Sequence, residues 1–293
     1  MTRIYLSLQS VCGSRRWSIC NTAVPPSVGR FTYLEKRRCV MTNSNLSDYA
    51  DPVVYDAENN QFEPAGPTLL KMAQQVTGPV LDLGCGTGLM SIPLAKQGID
   101  MVSMDAVPEM LAHGKKKAGD LPIRWVEGDV RNFQLDQKFE LIYSTGAVFQ
   151  HLLTRAEHEA CLACVQEHLV ENGRFIFDLA FPHPKWLGNV EAEEEWFSYT
   201  TPDERDVRVS GFQEYDPIRQ VKMETAVRRW TDATGIEMTK KAPLSLRYFY
   251  PQEIEALMHY NGFLNTSFFG DWQLTPLTAE STMILVLAKK EMT

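Results

Sequence analysis

The feature that most constrains this chain is the alternation of short apolar runs with helical segments between residues 79 and 181. It begins at "PVLDLGCGTGL", residues 79–89, where an apolar strand runs into Gly84, Gly86 and Gly88. "IDMVSMD", "IRWVEGD", "FELIYSTG" and "GRFIFDLAF" read as the next four strands. "LMSIPLAKQG", "VPEMLAHGKKKA" and "TRAEHEACLACVQEHLV" read as helices, the last opened by a T-x-x-E capping box at Thr154 and Glu157. Pro93 lies inside the first of these helices, past the turn where proline is free of cost, so a local kink is expected. Strands and helices in this order need crossover connections. They predict an α/β fold with a doubly wound, mainly parallel sheet.

The flanks read differently. "GPTLLKMAQQVTG" predicts a helix ahead of the first strand, with Pro67 in its first turn. The alternation stops at Pro182, and residues 183–250 look like four antiparallel strands, with "DPIR" and "DATG" as turns. "PQEIEALMHYNG" then resumes as a helix, and "FLNTSFF" and "TMILVLAKK" as strands. The expected division is a ligand-binding core over 42–182, an inserted antiparallel β lid over 183–250, and completion of the core over 251–293. Residues 1–41 read as a disordered extension or a start upstream of the working protein, near Met41. A targeting peptide is the competing reading, because this stretch is basic and poor in acids.

Charge narrows the partners. The chain carries a formal −8, but residues 1–40 hold seven Arg/Lys against Glu35, which leaves the body at −14. That balance argues against a nucleic-acid partner, which needs a basic face for its phosphates. No run of about 18 apolar residues is present to cross a membrane. Six cysteines in 293 residues do not make a disulfide scaffold, and a reducing, cytoplasmic setting is expected. Cys161 and Cys164 form a C-x-x-C without a second pair, so core packing is favoured over metal. "GKKKAGD", 114–120, reads as a solvated helix end.

In a doubly wound sheet, ligands sit beyond the C-terminal strand ends, where the glycine loop lies. A dinucleotide loop has the spacing G-x-G-x-x-G. Here position 89 is Leu and the spacing is G-x-G-x-G, which weakens a nucleotide-dependent oxidoreductase without removing it.

"VLDLGCGTG" resembles the first motif of the class I S-adenosylmethionine-dependent methyltransferases, of the small-molecule type. Asp105 in "MVSMDAVPEML", Asp129 in "VEGDVRNF" and the segment "FELIYSTGAVFQHL" continue that resemblance in order, over residues 49–180. It implies a Rossmann-like fold with a seven-stranded sheet and S-adenosylmethionine as cofactor. It also implies roles. Asp82, Gly84, Gly86 and Gly88 would hold the methionine end, with Thr145 nearby. Asp105, followed by Ala106, would take the ribose diol. Asp129 and the Val130 backbone would read the adenine, and Tyr55 would close over the cofactor. Residue chemistry agrees, since a sulfonium and an amine favour acidic surroundings.

No dedicated catalytic motif is expected, because methyl transfer depends mainly on orientation. The amino-methylating N/D-P-P-Y/F/W motif is replaced by "STGA" at 144–147, and no Pro-Cys dipeptide occurs. A small-molecule acceptor is therefore expected, methylated on N, O or C. His151 in "VFQHL" is the candidate general base, with Asp178, Arg247 and Tyr248 as further pocket candidates. The aromatics of 183–250 are expected to face the acceptor or to pack the lid. In resembling enzymes such a subdomain sometimes joins two copies, which makes a homodimer one arrangement to test. A non-catalytic S-adenosylmethionine-binding protein is the alternative from another class.

Overall fold

The computed structural model describes residues 45–59 and 65–291. The expectation for residues 1–41 lies outside them. In chain order, a 3-10 turn precedes α1 (Pro52–Asn59) and α2 (Gly66–Ala73). Then come β1 (Val80–Leu83), α3 (Ser91–Lys96), β2 (Met101–Asp105), α4 (Pro108–Ala118), β3 (Ile123–Glu127) and β4 (Phe139–Ser144). α5 (Arg155–His168) leads into β5 (Leu169–Ala180), and the inserted strands are β6 (Val190–Thr200), β7 (Asp206–Asp216), β8 (Val221–Thr231) and β9 (Glu237–Arg247). α6 (Pro251–Tyr260), β10 (Asn265–Phe269) and β11 (Met283–Lys289) follow.

Seven strands form one sheet in the order β10-β11-β5-β4-β1-β2-β3. β1 to β5 pair in parallel, and β11 runs antiparallel between β5 and β10. Side chains alternate across it, as strand geometry requires. In β4, Ile142 joins the core under α5 and α6, while Leu141 and Tyr143 join the core under α2 and α3; Phe139, ahead of the irregularity between Phe139 and Leu141, falls outside that alternation and joins the first core. Cys161 and Cys164 lie in the first of these cores. The order reverses at β1, whose neighbours β2 and β4 lie on opposite sides, so the loops leaving β1 and β4 part and open a crevice there.

The capping box at α5 is present, with the Thr154 hydroxyl accepting the Glu157 amide and Glu157 accepting the Thr154 amide at 3.0 Å. Pro93 behaves otherwise than expected. α3 starts only at Ser91, so Pro93 sits in its first turn, where a missing N–H costs little. α1 was not expected from periodicity. Its signals are Asp51, whose carboxylate accepts the Val54 amide at 3.2 Å, and Pro52 at its first position.

β6 to β9 make a separate four-stranded antiparallel sheet. Its turns close on Asp216 and Asp232, whose carboxylates accept amides of Ile218, Arg219, Thr234 and Ile236. One face, through Tyr199, Val207, Val209 and Trp230, packs on Val54 and Ala57 of α1. Arg228 forks onto Glu58 at 2.6 and 2.8 Å, both side chains nearly buried. At β9, the Ser245 backbone pairs both ways with the Asn45 side chain. Of the aromatics expected at the acceptor, Trp186, Trp196, Phe197 and Phe212 are exposed.

Candidate active site

The crevice holds two joined cavities. Tyr55, Gly84, Thr145 and Gly146 line both. The first extends over Asp105, Ala106, Asp129 and Val130 at the ends of β2 and β3, and reaches His151. The second extends over Asp82, Asn59, Asp178 and Trp272.

The glycine loop is the floor between them. Gly86 (φ +54°) presents bare backbone to Tyr55. A Cβ there would come no closer than 3.7 Å to the ring, so the absent side chain leaves room above the loop. Gly88 lines neither cavity. At φ +79° its Cβ would lie 2.6 Å from the Trp125 ring, so it is a packing position of the loop. The loop is held by Asp105, which accepts the Gly86 amide at 2.7 Å and the Val107 amide at 2.9 Å. Burial raises the Asp105 carboxyl, and these amides oppose the rise.

Asp82 lies under the loop at 1 % exposure. One oxygen accepts the Ser91 and Tyr143 hydroxyls at 2.5 and 2.9 Å. Its other oxygen, Oδ1, is buried without a partner. Burial pushes the carboxyl up to about 7, opposed by the Ser91 and Tyr143 hydrogen bonds. A buried acceptor left open at a cavity wall is costly unless a donor reaches it. A cationic amine on the ligand is such a donor, so Asp82 suits the methionine end of S-adenosylmethionine.

Asp129 reaches the first cavity but is engaged. Arg131 donates to both its oxygens through Nε and Nη2 and to Oδ1 through its amide, and also holds Glu157 at 2.9 Å. The Arg131 fork holds the Asp129 carboxyl below the usual range. A carboxylate offers about four acceptor positions, and three Arg131 N–H groups, with Nε–H shared between both oxygens, occupy most of them. The adenine role expected of Asp129 competes with Arg131 for its oxygens, whereas the neighbouring Val130 backbone meets no such competition.

The cover comes from the segment before α2. Tyr55 faces Gly86, and burial pushes its hydroxyl up to about 12. Tyr49 packs edge-on against Tyr55 and bonds His151 Nε2 at 3.2 Å. His151 Nδ1 is buried without a partner. Burial lowers this imidazole to about 4, which weakens it as a general base near neutral pH, although it lines the first cavity where that role was expected.

Asp56, next to Tyr55, was not singled out by sequence. It is buried and accepts from the Thr87 hydroxyl, from Lys117 at 2.6 Å, and pairs with His113 at 3.1 Å. Lys117 is therefore an anchor for the cover, not merely part of a solvated helix end. Arg247 and Tyr248 line neither cavity; Arg247 pairs with Glu253 and lies 4.6 Å over the Phe249 ring. No residue of 183–250 lines either cavity among the described residues. The inserted sheet braces the cover and is not itself the wall.

The class that this fold and site define is the class I S-adenosylmethionine-dependent methyltransferases. Residues 80–173 match the family model described as a methyltransferase domain. Over 214 residues the chain is 29 % identical to the cypemycin N-terminal methyltransferase of a Streptomyces species, covering 72 % of this chain and 83 % of that protein. Over 114 residues it is 32 % identical to the dTDP-3-amino-3,4,6-trideoxy-alpha-D-glucopyranose N,N-dimethyltransferase of Streptomyces venezuelae, covering 39 % and 45 %. Its fold is that of an S-adenosylmethionine-dependent methyltransferase from Clostridium acetobutylicum, with a TM-score of 0.68, 19 % identity, and coverage of 82 % and 97 %. The chain is thus a methyltransferase using S-adenosylmethionine. No described helix is long and apolar enough to cross a membrane.

Proposed function

We propose that the acceptor is an amine nitrogen of a small molecule. The observation that carries this is the charge of the lining. Asp82, Asp105, Asp129 and Asp178 face the two cavities, and the only Lys or Arg among the described lining residues, Arg131, is spent on Asp129 and Glu157. Carboxylate or phosphate groups on an acceptor would meet no free cation there. One named relative is an N,N-dimethyltransferase of an amino sugar nucleotide and the other an N-terminal methyltransferase by their names, which supports the same reading.

Bound at the loop, S-adenosylmethionine supplies an electrophilic methyl group. Asp105 would take the ribose diol, the Val130 backbone the adenine, and Asp82 Oδ1 the amine. Tyr55 and Tyr49 exclude water from above, which strengthens each polar contact inside. A neutral amine needs no base before attack, which accords with the weak basicity of His151. The methyl group would pass to the amine nitrogen with the carbon–sulfur electron pair left on sulfur, and the acidic lining would stabilise the resulting ammonium until its proton is lost to solvent.

The reading includes a cytoplasmic setting, supported by the buried free thiols Cys85, Cys161 and Cys164. It also includes pairing of two copies along the outer strand β6, supported by the exposed Trp196 and Phe197. The test is a screen with labelled methyl donor against matched amines, alcohols and carboxylic acids. Label is expected on amines. Label only on oxygen or carbon overturns the acceptor, and tight NAD(H) binding without S-adenosylhomocysteine binding overturns the class.

A further inference from the structure

Between β4 and α5 the chain makes an unusual turn. Gly146 (φ +77°) and Ala147 (φ +60°) are consecutive left-handed residues, and alanine rarely adopts that conformation. Such strain persists only where the surroundings over-determine it, and it concentrates at functional loops. Here the turn is the wall shared by the two cavities, through Thr145 and Gly146. On the other side of the turn, Val148 would be struck by any Cβ on Gly84, at 2.7 Å, so the turn also seats directly on the glycine loop.

What holds the turn comes from the end of β5. Asp178 Oδ1 accepts the Ala147 amide at 2.8 Å, and Asp178 Oδ2 accepts the Trp272 indole N–H at 3.1 Å. Asp178 is 7 % exposed. Successive amides in such a turn form a concave donor site for an anion, and a carboxylate fixed by a second donor fills it without freedom to swing. Gln150 pins the same loop further on, accepting the Ala180 amide at 2.6 Å and donating to the Arg247 carbonyl at 2.8 Å.

We propose that Asp178 is a positioning residue for methyl transfer. It holds the Thr145–Val148 turn in its left-handed form and so fixes the wall where the two cavities meet. That junction borders Gly84 of the glycine loop, and the proposal rests on the amine-methylation reading only for its kinetic consequence. Trp272 locks the carboxylate from the opposite side.

The experiment uses the full chain with D178N, W272F and the double variant D178N/W272F. In D178N the new amide NH2 must face either the Ala147 N–H or the Trp272 N–H, donor against donor. In the double variant the indole donor is gone, and the asparagine side chain turns its oxygen to Ala147. Hydrogen exchange of the 145–151 segment, read with S-adenosylhomocysteine bound, is expected to quicken about tenfold or more in D178N, the scale of a lost charge-assisted bond. It should return toward wild type in D178N/W272F. On an amine found by the screen, kcat is expected to fall about 100-fold in D178N, the cost of roughly 1 Å of misplacement, with KM for the donor within threefold. The double variant should recover most of it. Unchanged exchange in D178N overturns the proposal. So does a kcat loss that the double variant does not relieve, since Asp178 would then act by its charge on the acceptor. Exchange and its rescue are readable even if no amine is turned over, so failure of the acceptor reading stays separate.

Discussion

The floor of the site is held by backbone pairing, whereas its cover is held by side chains from distant parts of the chain. β1, β2 and β4 lie side by side in the sheet, and the loops at their ends follow within a few residues. The cover, residues 45–59, has one short helix and hangs on long-range side-chain contacts, Tyr49 on His151 among them. Asp56 binds α4 and Thr87, Glu58 binds Arg228, and Asn45 binds Ser245. The difference teaches that the floor is a product of the sheet's register, while the cover depends on the inserted sheet staying in place.

The largest effect is expected on the floor. Gly88→Ala must bear left-handed strain and drive its methyl group into the Trp125 ring. The two costs are about 1–2 and 1–3 kcal/mol, or roughly 2–5 together. Thermal unfolding and S-adenosylhomocysteine calorimetry should both register it. A variant as stable as wild type with full affinity would show that the floor yields and is not set by packing.

Asp82 gives the floor a pH dependence. Its carboxyl sits at about 7 in the fold against about 3.9 unfolded, so folding takes up a proton between those values. Its favourable contribution is complete below pH 4 and is lost as pH rises through 7, at most about 4 kcal/mol in the ligand-free protein. A cationic ligand amine at Oδ1 favours the ionised form, so ligand affinity should instead rise over the same range. Asp82→Asn should flatten both slopes. Urea unfolding and calorimetry at pH 5, 6, 7 and 8 test this, and parallel slopes in wild type and variant would exclude Asp82 as their source.

On the cover side, Glu58→Gln keeps the shape of the Arg228 pair and removes its charge. The expected cost is about 1–3 kcal/mol, felt locally. Hydrogen exchange should quicken in 45–59 and leave β1 and β4 unchanged. Exchange that quickens across the sheet as well would mean that floor and cover open as one unit.

These contrasts also decide what was legible in the sequence. Gly84, Gly86, Asp105 and Asp129 were readable because strand, loop and acid recur at intervals set by the fold itself. The cover was not. Asp56 and Glu58 look like ordinary acids on a short helix, and their partners Lys117 and Arg228 lie 61 and 170 residues away. The aromatic run of 183–250 left an acceptor wall and lid packing both open, because composition shows that rings cluster, not which face they take. The register of β6 on β7, with its shift between Glu195 and Phe197, decides that. His151 does line the cavity, yet its basicity is set by burial under Tyr49, which no local spacing encodes.

The smallest effect on the site is expected from the far side of this comparison. Phe197 is 47 % exposed, on the outer strand of the inserted sheet. An exposed aromatic on an edge strand is an open template for pairing with another chain. Phe197→Glu should leave S-adenosylhomocysteine affinity within twofold, because β6 touches neither cavity and surface changes of this kind cost about 0.5 kcal/mol or less. Light scattering should show wild type heavier than the variant if two copies pair along β6. Equal masses would remove that pairing and leave β6 as a plain outer strand. A loss of affinity in the variant would mean that the brace Tyr199 of the same strand makes on α1 carries through to the cofactor site, and that floor and cover are less separate than their contacts suggest.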